Sequence, residues 1–224
     1  MLDRSVLAEL WHERAKVTRE NIFGTADAQL RPVSSASEAD VAVPGMVGGD
    51  YQEKGLAIVS VNPAGGKDNF RPTSGDARLY QAVKEFTISG EPSKFEEVNE
   101  AYYLGMPSWG PQWVHVNAIL AASRQNLRQV AYPYLVPYRT RGDSGSTLKK
   151  NVIDRAYRAG FAETLRALKP SLVVPVDRHS EAAVYRAKAA LGLSFDIIYY
   201  TRQRNAHAAR AATLKMIAAS FDQR

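Results

Sequence analysis

Polar residues able to take part in chemistry follow four apolar stretches of the chain. The first stretch, GLAIVSV, leads directly into Asn62-Pro63-Ala64-Gly65-Gly66-Lys67, and the later ones lead into PYRTRGDSG, DRHS and TRQRNAH. An Asn side chain at a strand end can orient a water molecule, although a neutral amide is not a strong base, and glycines let backbone N–H groups approach a ligand. Because ligands of mostly parallel sheets bind at the carboxyl ends of the strands, these four groups predict one cleft.

The elements that would position these residues alternate between strands and helices. We predict strands over 55–61, 130–140, 169–176 and 194–201, and a loop over 23–50. Helices are predicted over 1–22, 74–86, 92–105, 109–129, 146–168, 180–192 (with Ser180 as its cap) and 205–221. This alternation predicts an α/β fold, a three-layer α/β/α sandwich around a central four-stranded, mostly parallel sheet, in a single domain spanning 1–224.

The segment 109–129 is compatible with two structures. The spacing of its apolar residues favours a helix, whereas the stretch WVHVNAIL also fits a strand that ends in a polar Asn. A helix here leaves VAYPYLVPYRT at 130–140 to supply the strand, although its two prolines are unfavourable in a central strand. The helix is preferred and the strand remains open.

The composition is that of a globular protein with a basic surface. The chain has 224 residues, 45% of them hydrophobic and 23% charged, with a net charge of +6. A basic surface suits a polyanionic partner. The absence of cysteine excludes disulfides, thiolate metal sites and cysteine nucleophiles, and fits a cytoplasmic location. The first 17 residues predict an amphipathic helix rather than a signal peptide, and no stretch is apolar enough to span a membrane.

Three apparent motifs lack residues or spacing that their known chemistry requires. Gly66-Lys67 lacks the earlier glycine of a phosphate-binding P-loop, and Asp68 replaces its Ser or Thr. GDSG at 142–145 would need an all-β chain to be a chymotrypsin-type serine site, whereas this chain alternates. The four histidines are too far apart in sequence for an HExxH-type zinc site, so no metal or other cofactor is expected.

The remaining pattern resembles the uracil-DNA glycosylase superfamily. VSVNPAGG is similar to its first motif, a strand followed by Gly-x-Asp/Asn-Pro, and the Asn-Pro form is most like the mismatch-specific branch. LVPYRTRG resembles the middle strand of the superfamily and LKPSLVVPV its third strand. YYTRQRNAH occupies the place of the closing His-Pro-Ser or Asn-Pro-Ser motif, but lacks that motif. The resemblance covers residues 55–207 and implies a divergent branch without an iron–sulfur cluster.

The resemblance implies roles for the residues that follow the first strand. Asn62 would position the attacking water, with turn capping before Pro63 as its alternative role. Pro63, Gly65 and Gly66 would shape the base pocket, and Phe70 would stack on the base or else belong to the core. The role of base-reading residue falls to Asn117 if 113–119 is a strand and to Tyr134 if it is a helix.

The last strand end would stabilise the departing base. His207 and Arg204 are expected in catalysis there, and Asn205 in base binding. Basic and hydroxyl side chains would contact DNA phosphates: Lys67, Arg139, Arg141, Ser144, Lys149, Lys150 and Arg202. A solvated surface charge is the ordinary alternative for each of them.

These observations lead to an expected function and two alternatives. The first is a monomeric, metal-free, monofunctional uracil-DNA glycosylase of base-excision repair, whose partner is DNA containing uracil. The second is a nucleic-acid-binding module that keeps the cleft without catalysis, and the third is a small-molecule hydrolase. No membrane partner is expected.

Overall fold

The computed structural model of the chain describes residues 2–25, 41–63, 76–140 and 148–222. Within these ranges five strands form one sheet. Helices come before, between and after the strands along the chain, so the expected α/β class is confirmed. No helix in the described ranges is both long and apolar enough to cross a membrane.

The sheet is mixed but mostly parallel. Its strands are β1 (Gly45–Val47), β2 (Leu56–Val59), β3 (Val130–Pro133), β4 (Leu172–Pro175) and β5 (Asp196–Ile197). Their order across the sheet is β1–β3–β2–β4–β5. Only the β1–β3 pair among these five strands is antiparallel. The central strand β2 is buried along its whole length, which explains why its sequence is continuously apolar.

The expectation of four strands is wrong for the described part of the chain. The additional strand, β1, lies in the stretch 23–50, for which the sequence predicts a loop. Three residues are too few to show the alternation that identifies a strand. Pairing with β3 also requires the glycine at position 45, because a Cβ there would lie 2.2 Å from the Tyr132 carbonyl oxygen.

The helices agree with the sequence prediction more closely than the strands do. They are α1 (Arg4–Ala15), α2 (Arg19–Phe23), α3 (Asp76–Ser89), α4 (Pro92–Gly105), α5 (Pro111–Ser123), α6 (Lys150–Ala156), α7 (Ala162–Leu168), α8 (Arg178–Leu191) and α9 (His207–Asp222). The helical interpretation of 109–129 is therefore confirmed for its first half, and the strand alternative is wrong. The α5 helix ends at Arg124, whose φ of 53° is left-handed.

Three helix predictions need correction. The helix expected over 1–22 is divided into α1 and α2, because Thr18 is extended and caps the start of α2. The helix expected over 146–168 is interrupted between α6 and α7 by a π-helical turn, in which Gly160 has a φ of 94°. The α8 helix is capped by Asp177 rather than by Ser180, because the Asp177 carboxylate accepts a hydrogen bond from the Ser180 backbone N–H. An Asp at the N-cap satisfies backbone donors that the helix itself leaves unpaired.

A buried arginine holds the end of β3 against the first helix. Arg14 is 1% exposed, and its Nη2 donates to the Tyr134 carbonyl oxygen at 2.6 Å. The π-helical turn between α6 and α7 leaves space for the Arg14 side chain, because a Cβ on Gly160 would lie 3.2 Å from the Arg14 Cγ. Burial lowers the Arg14 pKa to about 10. This contact fixes the position of Tyr134, one of the residues selected from the sequence.

Candidate functional site

Asn62 and Pro63 follow β2 at the carboxyl edge of the sheet. Asn62 is 5% exposed, and its Nδ2 donates to Thr140 Oγ1 at 2.6 Å. Backbone bonds beside β3 extend the pairing up to this point, since Val136 N donates to Val61 O at 2.7 Å. The bond to Thr140 holds the Asn62 amide in one orientation, so that its Oδ1 has a fixed direction from which it could orient a water molecule.

A narrow cavity lies beside Pro63. Its walls come from the segments before β1, after β2 and after β3, from α3 and α4, and from the turn between α4 and α5. They are Val43, Pro63, Leu79, Tyr80, Tyr102, Trp109, Tyr134 and Arg139. The aromatic rings contact one another: the ring centroids of Tyr102 and Trp109 are 5.5 Å apart and those of Tyr102 and Tyr134 are 6.3 Å apart. An aromatic-lined cavity of this small size at a strand end can receive the edge of a flat ring.

The hydroxyl groups of the buried tyrosines are neutral, and two of them accept hydrogen bonds from one glutamine. Gln112 on α5 donates through Nε2 to Tyr132 Oη at 3.0 Å and to Tyr134 Oη at 3.2 Å. Burial raises the pKa of Tyr102 and of Tyr134 well above the ordinary value. Both hydroxyls therefore keep their protons and can donate hydrogen bonds to a ligand.

Asp177 connects the ends of three parallel strands. Its Oδ2 accepts from Val61 N at 2.8 Å, and its Oδ1 accepts from Ser180 N at 2.8 Å. Arg202 Nη2, from the segment after β5, lies 3.9 Å from Asp177 Oδ2, and its Nε donates to Val176 O at 3.1 Å. The carboxylate thus ties Val61, immediately before Asn62, to the start of α8.

His115 and Tyr200 form a second polar contact near Arg202. His115 Nδ1 lies 3.3 Å from Tyr200 Oη. Partial burial lowers the His115 pKa below 6.5, and the charges of Arg202 and Arg210 lower it further. Neutral His115 is therefore the form that this environment favours.

Acidification should destabilise the protein through His115. The folded pKa lies below the unfolded value of 6.5, so the unfolded chain binds more protons between those two values. We expect the free energy of unfolding to fall as the pH drops through that window and to level off below the folded pKa. Urea unfolding of wild type and of His115→Gln at several pH values measures it. An identical pH dependence in the two proteins would contradict the assignment.

The residues expected at the last strand end do not meet the cavity in the described structure. His207 is the first residue of α9 and is exposed, and its Nδ1 lies 2.9 Å from Arg210 Nη2. Arg204 and Asn205 are also exposed. Arg202, selected as a DNA contact, is instead a half-buried residue whose side chain holds the Val176 carbonyl and faces Asp177.

Several other selected residues lie elsewhere than expected. Asn117 is exposed on α5 and lines a different surface groove, with Tyr103 and Trp113, so the strand that would have made it the base-reading residue is not present. Arg139 is 7% exposed and faces the cavity rather than an open phosphate clamp. Lys149 and Lys150 are exposed at the start of α6, where Lys150 pairs with Asp154 at 2.6 Å.

Six selected residues lie outside the described part of the chain. They are Gly65, Gly66, Lys67, Phe70, Arg141 and Ser144. Their assignments stay predictions.

Several residues of the site are absent from the sequence-based selection. Tyr80, Tyr102 and Trp109 line the cavity, and Gln112 holds the hydroxyls of two tyrosines. Tyr102 sits at an apolar position of α4, and this position predicts burial without distinguishing a cavity wall from a core residue. The helix start at Gly110-Pro111, beside Trp109 and Gln112, is a local sequence signal that could have drawn attention to this region.

The site can bind a ligand through hydrogen bonds and aromatic stacking. No group of His, Asp and Glu in the described ranges could hold a metal ion. The arrangement offers an oriented amide oxygen, neutral hydroxyl donors and aromatic walls at one strand end. Neither models of known protein families nor curated proteins match the chain.

Proposed function

We propose that the protein is a monofunctional uracil-DNA glycosylase of base-excision repair. One observation carries this proposal: Asn62-Pro63 leads from the central strand directly to a cavity walled by Tyr102, Trp109 and Tyr134. A flipped pyrimidine needs aromatic walls and hydrogen bonds to its edge, and its glycosidic carbon needs a positioned water. Donors and aromatic walls for the edge of the base, and an amide to position the water, at the strand end that carries the motif resemblance support the proposal.

The proposed reaction breaks the bond between the sugar and the base. The electron pair of the C1′–N1 bond leaves with uracil, and positive charge develops on the sugar. Asn62 Oδ1 orients the water whose oxygen bonds to C1′, while the water proton passes to solvent and the base anion later takes a proton from solvent. Neutral donors around the cavity would stabilise the anion more than the bound ground state, and this difference accelerates bond breaking.

The same proposal includes a three-layer α/β/α arrangement, a monomer and a cytoplasmic location. Connections between parallel strands are almost always right-handed. The step from β2 to β3 runs in one direction across the sheet and the steps from β3 to β4 and from β4 to β5 run in the other, which supports helices on both faces. A single chain forms the cavity, and the absence of cysteine supports a reducing compartment.

Excision of uracil tests the proposed activity. The protein is incubated with an oligonucleotide that contains one uracil, and abasic sites are then cleaved with alkali. We expect cleavage at the uracil and none in the matched oligonucleotide with thymine at that position. A folded protein that yields no cleavage above background on single- or double-stranded substrate would exclude the activity.

DNA binding should weaken steeply with salt. The net charge of +6 favours contacts to phosphates, and each contact releases condensed counterions on binding. We expect the affinity for DNA carrying a non-cleavable uracil analogue to fall by about 10³-fold between low and moderate salt, an order of magnitude typical of several phosphate contacts. Binding of free uracil is the control and should barely change. A flat salt dependence for the DNA would argue against a DNA substrate.

The second candidate is a nucleic-acid-binding module without catalysis. The exposed position of His207, which contacts Arg210 instead of a cavity residue, favours it. Such a module would bind uracil-containing DNA with the same salt dependence but leave the glycosidic bond intact. The alkaline-cleavage assay therefore separates the two candidates.

A further inference from the structure

Two polar atoms on aromatic side chains of the cavity wall are buried and make no hydrogen bond within the described part of the chain. They are the hydroxyl of Tyr102 and the indole Nε1 of Trp109. Tyr102 is 0% exposed, so its hydroxyl does not face bulk solvent in this conformation. The hydroxyls of Tyr132 and Tyr134 in the same cluster, by contrast, each accept a hydrogen bond from Gln112.

Unpaired polar atoms of this kind are uncommon in folded proteins. A buried donor has given up its hydrogen bonds to water, and most buried polar atoms regain them from the protein or from ordered water. Packing requires neither the Tyr102 hydroxyl nor the Trp109 N–H, since a phenylalanine at each position would preserve an aromatic wall. Their positions therefore indicate a partner that enters the cavity.

The chemistry of the cavity restricts that partner. An indole N–H is a donor only, so an acceptor atom must satisfy Trp109. The Tyr102 hydroxyl stays protonated, and because its ring centroid lies 5.5 Å from that of Trp109 it is a second donor in the same cavity wall. The space between the walls leaves room for about one water-sized atom, so the cavity receives the edge of a ligand rather than a whole ring. Val43 and Leu79 close other sides with apolar groups.

We propose that Trp109 Nε1 and Tyr102 Oη form a hole for one carbonyl oxygen of a pyrimidine base. This inference rests on the proposed function for the identity of the ligand. Part of the negative charge of the departing uracil lies on its carbonyl oxygens, so the two donors hold the base and strengthen their bonds as the glycosidic bond breaks. A base with an amino group at that edge presents a donor to a donor and is rejected.

The indole resonances of the full-length protein test the hole directly. Free uracil is added to 15N-labelled protein, and Trp109→Phe assigns the Trp109 signal. We expect the Trp109 Nε1–H resonance to move downfield and saturate. The Trp11 Nε1–H, which already donates to the Gly45 carbonyl oxygen at 3.1 Å, should stay in place as an internal control. A Trp109 resonance that does not move at the highest soluble uracil concentration overturns the proposal.

Conservative variants test the same hole in the reaction. Tyr102→Phe and Trp109→Phe should each lower the single-turnover rate of uracil excision by about 10²-fold, the usual loss for one donor to a developing anion. Tyr102→Phe should cost little stability, because within the described part of the chain its hydroxyl makes no hydrogen bond of ordinary geometry. Tyr51→Phe is the matched control: its buried hydroxyl donates to the Leu168 carbonyl oxygen at 3.2 Å, so this variant should lose stability and keep the rate.

The outcomes separate this inference from the proposed function. Saturable movement of the Trp109 signal in a protein that excises no uracil leaves the hole and excludes the glycosylase. Excision that both phenylalanine variants retain at the wild-type rate leaves the glycosylase and overturns the hole. Replacing one uracil carbonyl at a time with sulfur, a weaker acceptor, identifies which oxygen the hole binds, since only that analogue should lose the Trp109 shift.

Discussion

Replacing Asn62 with alanine should lower the single-turnover rate of uracil excision by about 10²-fold, the effect of losing one positioned catalytic group. The structure gives this expectation a geometric basis. Thr140 Oγ1 accepts from Asn62 Nδ2 at 2.6 Å, which holds the side-chain oxygen in one orientation at the end of the central strand. Rapid-quench kinetics with enzyme in excess over a uracil-containing oligonucleotide measure the bond-breaking step, and affinity for the non-cleavable analogue should barely change.

The chain offers a matched control for this variant. Asn99 has the same 5% exposure as Asn62, but its Oδ1 accepts from Val47 N at 2.9 Å in strand β1, away from the cavity. Asn99→Ala should therefore lose stability and keep the excision rate. If Asn62→Ala folds normally and excises uracil at the wild-type rate, Asn62 is a turn cap before Pro63 and the proposed water position is wrong.

Replacing Asp177 with alanine should reduce the free energy of unfolding by about 3 kcal/mol, from the loss of charge-assisted hydrogen bonds and a helix cap. The carboxylate accepts from Val61 N and from Ser180 N, each at 2.8 Å. Alanine leaves the Val61 donor buried without its acceptor and leaves Arg202 facing no acid. Urea unfolding at neutral pH measures the change.

Asp3→Ala is the comparison for Asp177→Ala. Asp3 caps α1 through bonds to Ser5 N and Val6 N, but it makes these bonds at an exposed helix start. Its loss should therefore reduce the free energy of unfolding by clearly less than the loss of Asp177. Equal losses in the two variants would show that the bond from Asp177 to Val61 contributes nothing beyond capping.

Local signals in the sequence determined most helices and the position of the first site residue. The predicted helix over 92–105 matches α4 because a proline starts it and a glycine ends it, and both signals act within one turn. The run GLAIVSV predicts a buried strand, and Asn62-Pro63 must then lie at its carboxyl end, as observed. Each of these features depends on residues close together in the chain.

Tertiary structure alone decided the fifth strand, the cavity and the exposure of His207. β1 exists because β3, more than 80 residues later, supplies its hydrogen-bond partners. Tyr102 becomes a cavity wall because α4 packs its ring near Tyr134, and an apolar helix position looks the same in sequence whether it meets a core or a cavity. His207 starts α9, where its exposure depends on how that helix packs against α5. Contacts between residues distant in sequence fix these features, and no local pattern encodes them.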